Sequence, residues 1–299
     1  MTSPLADPAW ILLVVVRFVH YGAVTGLFGT ALFPLYAGTN SPLTRRWVLG
    51  ASWVALLTTV AWFLATVAQM SGDLSAAFAL DLLWPVLRDM AFGHLAAARL
   101  LLAGLTVWAM TTRAPPIVLA HLSGLLLASL AGVGHARLQD GTAGLADVAA
   151  DSLHLLAAGA WIGGLAPLSL LAVTHDRGSA AERAFGQTLH RFSLMGYAAV
   201  GTLVATGLFN GWRLVGSVSN LTTTPYGQIL VLKVGLFLAM LALAAINRLW
   251  ISPPLWAPPL NSDTAPWLNR LKHHIIAEQG LAVLILAVVS WLGVIEPSA

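Results

Sequence analysis

Nine histidines in a chain without cysteine set the chemistry open to this sequence. His94, His135 and His154 each fall near the same end of a long apolar stretch, so three neighbouring helices can aim imidazoles at one volume. Met90 stands four residues before His94, and Met70 closes the preceding apolar stretch. Imidazole and thioether together are what a cysteine-free site offers a copper ion. Asp147, Asp151 and His154 follow i, i+4, i+7 spacing, a polar stripe along one helix face. A carboxylate on that stripe orients an imidazole through its second nitrogen or ligates directly. For each histidine taken alone, a structural hydrogen bond between helices is the competing reading.

Other polar groups occur where lipid is expected. Arg17, Arg99 and Lys233 lie well inside apolar stretches, where a charge costs about 2.5–3.5 kcal/mol unless it snorkels, pairs or lines a wet cavity. Asp151 is the nearest carboxylate by depth, which suggests a buried ionic network. The alternative is a cationic vestibule, whose charge repels copper unless carboxylates or anions offset it. His20 lies about 15 Å into the first stretch, as a next stop for an inward-moving ion or as a satisfied core histidine. Toward the opposite face stand His121, His175, His190, His273 and His274. Glu278 follows His274 by one turn on the same face, which predicts an exit site with Asn247 as its companion.

The elements that position these groups follow from composition. Of 299 residues, only 15 are Lys or Arg and 12 are Asp or Glu, while 58% are hydrophobic. A soluble enzyme is excluded, because no ordinary water-facing surface can be built from this mixture. The apolar residues fall into eight stretches, 10–37, 47–70, 91–112, 115–136, 148–174, 189–214, 226–250 and 274–295. Each is near the ~20 residues that cross a bilayer. The expected fold is all-α, one multispanning transmembrane domain over residues 1–299, with lipid as its surroundings.

Arginine and lysine concentrate in alternate breaks, at Arg45, Arg46, Arg113, Arg177, Arg183, Arg248, Arg270 and Lys272, which places both termini outside the cytoplasm. The net charge of +3 is explained by these helix ends and calls for no nucleic-acid partner. The outer loop 71–90 carries Leu83, Trp84 and Pro85, suited to the interface. The inner loop 251–273 carries Pro253, Pro254, Pro258, Pro259 and Pro266 and is expected to stay extended. Gly-x-x-x-Gly spacings at Gly22/Gly26, Gly159/Gly163 and Gly207/Gly211 mark potential packing seams. No internal repeat is visible. No phosphate-cradling Gly-rich Lys motif occurs, so direct ATP drive is unsupported, and a transporter rather than an enzyme is expected.

A set of short motifs then carries a resemblance. Gly134-His135-Ala136, Asp151-x-x-His154 followed by Trp161-Ile162-Gly163-Gly164-Leu165, Arg191-Phe192-Ser193, and Tyr226-Gly227 with Lys233 and Asn247 in the same span resemble the bacterial copper resistance protein D family. The likeness runs over most of the chain and is densest from about residue 90 to 250. It implies an eight-span inner-membrane protein that takes copper from periplasm to cytoplasm, alongside a small periplasmic copper-binding partner of the CopC type. It also favours His94, His135 and His154 as ligands, with Asp151 in support. A membrane cytochrome b is the rival. His121 and His135 lie fourteen residues apart, the spacing that sets two axial ligands of haem b on one helix face, with Arg17 and Arg99 for the propionates.

Overall fold

The computed structural model describes residues 7–38, 42–133, 142–174, 179–256 and 264–297. Among the described residues the secondary structure is helical throughout, with no strand. The helices are α1 (Pro8–Ala37), α2 (Pro42–Ser71), α3 (Leu80–Asp89), α4 (Ala91–Thr111), α5 (Pro116–Ala128), α6 (Thr142–Thr174), α7 (Ser179–Val215), α8 (Asn220–Thr223), α9 (Pro225–Ile246), α10 (Pro253–Trp256) and α11 (Ala265–Leu292). Seven of these, α1, α2, α4, α6, α7, α9 and α11, are long and apolar enough to cross a membrane. The chain is an all-α, multi-pass membrane protein.

Local chemistry sets the ends. Asp7 accepts the Ala9 N–H at 2.9 Å, Pro8 opens α1, and Gly38 closes it in the left-handed region at φ 72°. The fourth apolar stretch, 115–136, of which 134–136 lie outside the described residues, holds α5, shorter than the seven, followed by a 3-10 segment, Ser129–Val133. Together they reach about 30 Å, because 3-10 backbone rises faster than α. The expectation for 251–273 is corrected: Pro253 opens α10, and α11 begins at Ala265 with Pro266 in its first turn, well before residue 274. Proline is tolerated there because first-turn N–H groups have no helical acceptor to lose. Between α2 and α4, α3 buries none of its residues, and Leu80 and Trp84 are 78% and 61% exposed. This suits a helix lying in the headgroup region.

At the centre α1 packs on α6 through glycine. A Cβ on Gly29 would strike the Gly159 carbonyl and the Gly163 backbone, and a Cβ on Gly163 would strike the Thr25 carbonyl and Gly29. Thr25 and Gly159, like Gly29 and Gly163, are 134 positions apart. The contacts are therefore reciprocal, the signature of packing about a twofold axis. The same interval relates Gly93 to Gly227. Gly93 lies against the Val86 carbonyl and Leu87 Cα, and Gly227 lies equivalently against the Asn220 carbonyl and Leu221 Cα. Met90 and Thr224, again at that interval, cap α4 and α9 with nearly identical backbone, φ −103°, ψ 140° and φ −109°, ψ 148°. Both α2 and α7 stop at a left-handed glycine, Gly72 and Gly216.

The chain is thus built from two parallel halves, contrary to the expectation of no repeat. The glycines where backbone meets backbone keep their type at this interval while most other positions do not, so the duplication is faint in the residues themselves. Each half has its own apolar core. One is formed around Leu27, Phe28, Trp62 and Leu126, the other around Trp161, Leu165, Phe192 and Ile275.

Candidate functional site

The N-terminal turns of α6 meet α7 through three polar rungs. Arg213 donates to Asp147 with two nitrogens, at 3.0 and 2.8 Å. Asn210 Nδ2 donates to Asp151 Oδ1 at 2.7 Å. His154 Nδ1 lies 2.9 Å from Thr206 Oγ1. Residues 147, 151 and 154 therefore face 213, 210 and 206 on an antiparallel neighbour, each set spaced by one turn. Lys233 of α9 is within electrostatic reach of both Asp151 and His154.

The third rung fixes a tautomer. Thr206 Oγ1 lies 2.6 Å from the Thr202 carbonyl oxygen, a separation that requires its hydroxyl hydrogen to point there. Toward His154 the hydroxyl oxygen must then accept, so Nδ1 carries the hydrogen and donates. Nε2 is left with a free electron pair, the form in which imidazole binds a metal.

The remaining predicted ligands are spread differently. His94, in the first turn of α4, is exposed and donates through Nε2 to the Arg88 carbonyl at 2.6 Å, leaving its Nδ1 pair open. Met90 precedes the helix on extended backbone, so helical spacing does not align it with His94, and its side chain is exposed. Met70 is exposed at the end of α2. His135 lies outside the described residues. Among the described residues no group of three or more His, Asp or Glu side chains gathers at a common metal position.

The network expected of Arg17, Arg99, Lys233 and Asp151 divides between the halves. Arg17 and Arg99 are buried in the N-terminal half and meet no carboxylate among the described residues. Arg17 donates to the Gly293 carbonyl and the Tyr21 hydroxyl, both at 2.8 Å. Arg99 donates to Ser129 Oγ at 3.1 Å and to its carbonyl at 2.7 Å. Both guanidinium carbons lie over the Trp62 ring, at 5.1 and 4.9 Å. His20 is fully buried, edge-on to the same ring, with Nδ1 2.9 Å from Thr58 Oγ1. Carbonyls, hydroxyls and a π face thus replace the expected anion.

Between the C-terminal end of α9 and α11, Asn247 donates to Glu278, and both are buried. They line a cavity of about 400 Å³ together with Trp161, Tyr197 and Arg248. His274, one turn before Glu278, is half-buried, and its Nδ1 has no partner among the described residues. His121 is exposed and donates to the Ile117 carbonyl at 2.7 Å. Its axial partner in the haem reading, His135, lies outside the described residues. Thr58, Trp62, Thr206 and Asn210 were missed from sequence. The signal for one pair of them was present, since 206, 210 and 213 repeat the spacing of 147, 151 and 154 in reverse.

With this geometry in place, comparison with known proteins is informative. A model of the copper resistance protein D-like N-terminal domain matches residues 5–145, and one of copper resistance protein D matches residues 186–292. Copper resistance protein D of Pseudomonas syringae pv. tomato is 29% identical, covering 98% of each chain. Inner membrane protein YebZ of Escherichia coli (strain K12) is 30% identical over 96% of this chain and 98% of its own. Copper transport protein CutJ of Bacillus subtilis (strain 168) is 34% identical over 78% of this chain and 45% of its own length. No solved structure matches. Alignment end to end at this identity, with both domain models in order, means that the chain belongs to the copper resistance protein D family.

Proposed function

We propose that the protein carries copper ions across the bacterial inner membrane from periplasm to cytoplasm, acting as a transporter and not as an enzyme. Eight spans place both termini in the periplasm, in keeping with the arginine-rich alternate loops. The observation that carries this reading is the free Nε2 pair of His154, held on the α6–α7 polar stripe. Asp147 and Asp151 offset the charges of Arg213 and Lys233 there, so an arriving cation meets a locally balanced field.

In this reading His94 and His135, with Met90 and Met70, receive the ion at the periplasmic mouth and pass it to His154. A small CopC-like copper-binding protein delivers it. Ligand exchange must be easy, because a closed high-affinity cage stores an ion instead of passing it on. Glu278 and His274 serve as the release site on the cytoplasmic side. His20 sits among two guanidinium groups, which oppose any cation halting there, so from His154 onward the route runs through the C-terminal half.

The test is copper uptake into cells and proteoliposomes by the intact chain and by His94→Ala, His135→Ala and His154→Ala. Loss of uptake in His154→Ala, with the folded protein still present in the membrane, is the expected result. Unchanged uptake in all three variants overturns the reading.

A further inference from the structure

The two halves carry the same imidazole device. His20 lies twelve residues beyond Pro8 in α1, and His154 twelve beyond Thr142 in α6. They are 134 positions apart, and so are Arg99 and Lys233, the basic residues of the third spans that act on each. In both halves the imidazole Nδ1 meets a threonine of the following span at 2.9 Å. In both halves that threonine hydroxyl lies 2.6 Å from a carbonyl one turn earlier, Val54 for Thr58 and Thr202 for Thr206. The hydroxyl hydrogen is committed to the carbonyl each time, so the oxygen is left to accept from Nδ1–H. His20 Nε2 is buried and has no partner among the described residues. This agrees with a bare pair facing no donor.

We propose that Thr206 and Thr58 are positioning residues that hold His154 and His20 in one tautomer, with Nε2 as the available electron pair, and that Thr206 thereby sets copper binding at His154. The copper part rests on the function proposed above, while the tautomer part stands on geometry alone. The copies differ in charge beside the imidazole. At the position 134 residues before Asp151 stands Arg17, so the C-terminal copy gained a carboxylate beside the imidazole and the N-terminal copy a cation. Copper is directed to the C-terminal copy by this exchange.

The experiment uses the full chain in lipid nanodiscs with 15N-labelled histidine, first free of metal and then titrated with Cu(I). In the metal-free protein, His154 and His20 are expected in the Nδ1–H form at neutral pH. Thr206→Val should release the His154 preference and weaken copper binding by about 10–100-fold, the usual cost of losing a hydrogen bond that orients a metal-binding histidine. Thr206→Ser should restore both, and Thr58→Val should release His20 alone. A His154 in the Nε2–H form, or one whose tautomer ignores Thr206→Val in a protein with otherwise native histidine signals, overturns the proposal. A tautomer that follows Thr206, combined with copper binding indifferent to His154→Ala, supports the positioning role and overturns the copper reading instead.

Discussion

Gly29 and Gly163 touch across the line where the two halves meet, and each occupies the other's equivalent place in its own half. Neither has room for a side chain, because the opposing atoms are backbone and cannot swing away. Gly29→Val and Gly163→Val are expected to destabilise the protein by at least the about 1–3 kcal/mol typical of overpacking. Gly22→Ala and Gly211→Ala face open space and should unfold like the parent. Thermal unfolding in detergent separates the two groups. Equal midpoints would show that the α1–α6 seam is not the close one.

Much of the fold was legible because the bilayer imposes length and polarity on each span, and seven of the eight apolar stretches fall on helices long enough to cross a membrane. The ends were less legible. Proline was read as a breaker in 251–273, whereas Pro253 and Pro266 start helices, a distinction that depends on whether their N–H is needed. The repeat was hidden because lipid-facing and core positions tolerate exchange among apolar residues, while Gly29, Gly163, Gly93 and Gly227 are held in register by backbone contact. In the site, the stripe of Asp147, Asp151 and His154 was readable from spacing within one helix. Its partners Thr206, Asn210 and Arg213 repeat that spacing in reverse, yet spacing alone does not pair two helices, because pairing depends on their rotation and register.

Asp151 accepts from Asn210 and has Lys233 as its nearby cation. Removing the cation with Lys233→Met leaves a carboxylate short of compensation and should cost about 1–3 kcal/mol. Adding Asp151→Asn to that variant should recover much of the loss. The double-mutant cycle, read by unfolding midpoints, gives the coupling directly, and additive losses would show that the two charges do not interact.

Trp62 presents its ring to both Arg17 and Arg99. In a desolvated setting each such contact contributes about 1–2 kcal/mol. Trp62→Leu is therefore expected to destabilise more than Trp62→Phe, which keeps an aromatic face for the two cations. Matching losses in the two variants would reduce the ring to a space-filler.

Glu278 is buried and accepts from Asn247 at the edge of the inner cavity. Asn247→Leu removes the donor and leaves the carboxyl group facing apolar walls, at a cost of about 1–3 kcal/mol. Glu278→Gln keeps a carbonyl oxygen for Asn247, so the fold should survive while the acidic ligand is lost. If the ion leaves through Glu278, this variant binds copper at the periplasmic side as the parent does, yet delivers it to the vesicle interior about tenfold more slowly, equivalent to about 1.4 kcal/mol. Binding and delivery are measured separately, by copper retained on the protein and copper trapped inside proteoliposomes. Delivery at the parent rate, with a thermal midpoint that drops only in Asn247→Leu, assigns the pair to packing and moves the exit elsewhere on the cytoplasmic face.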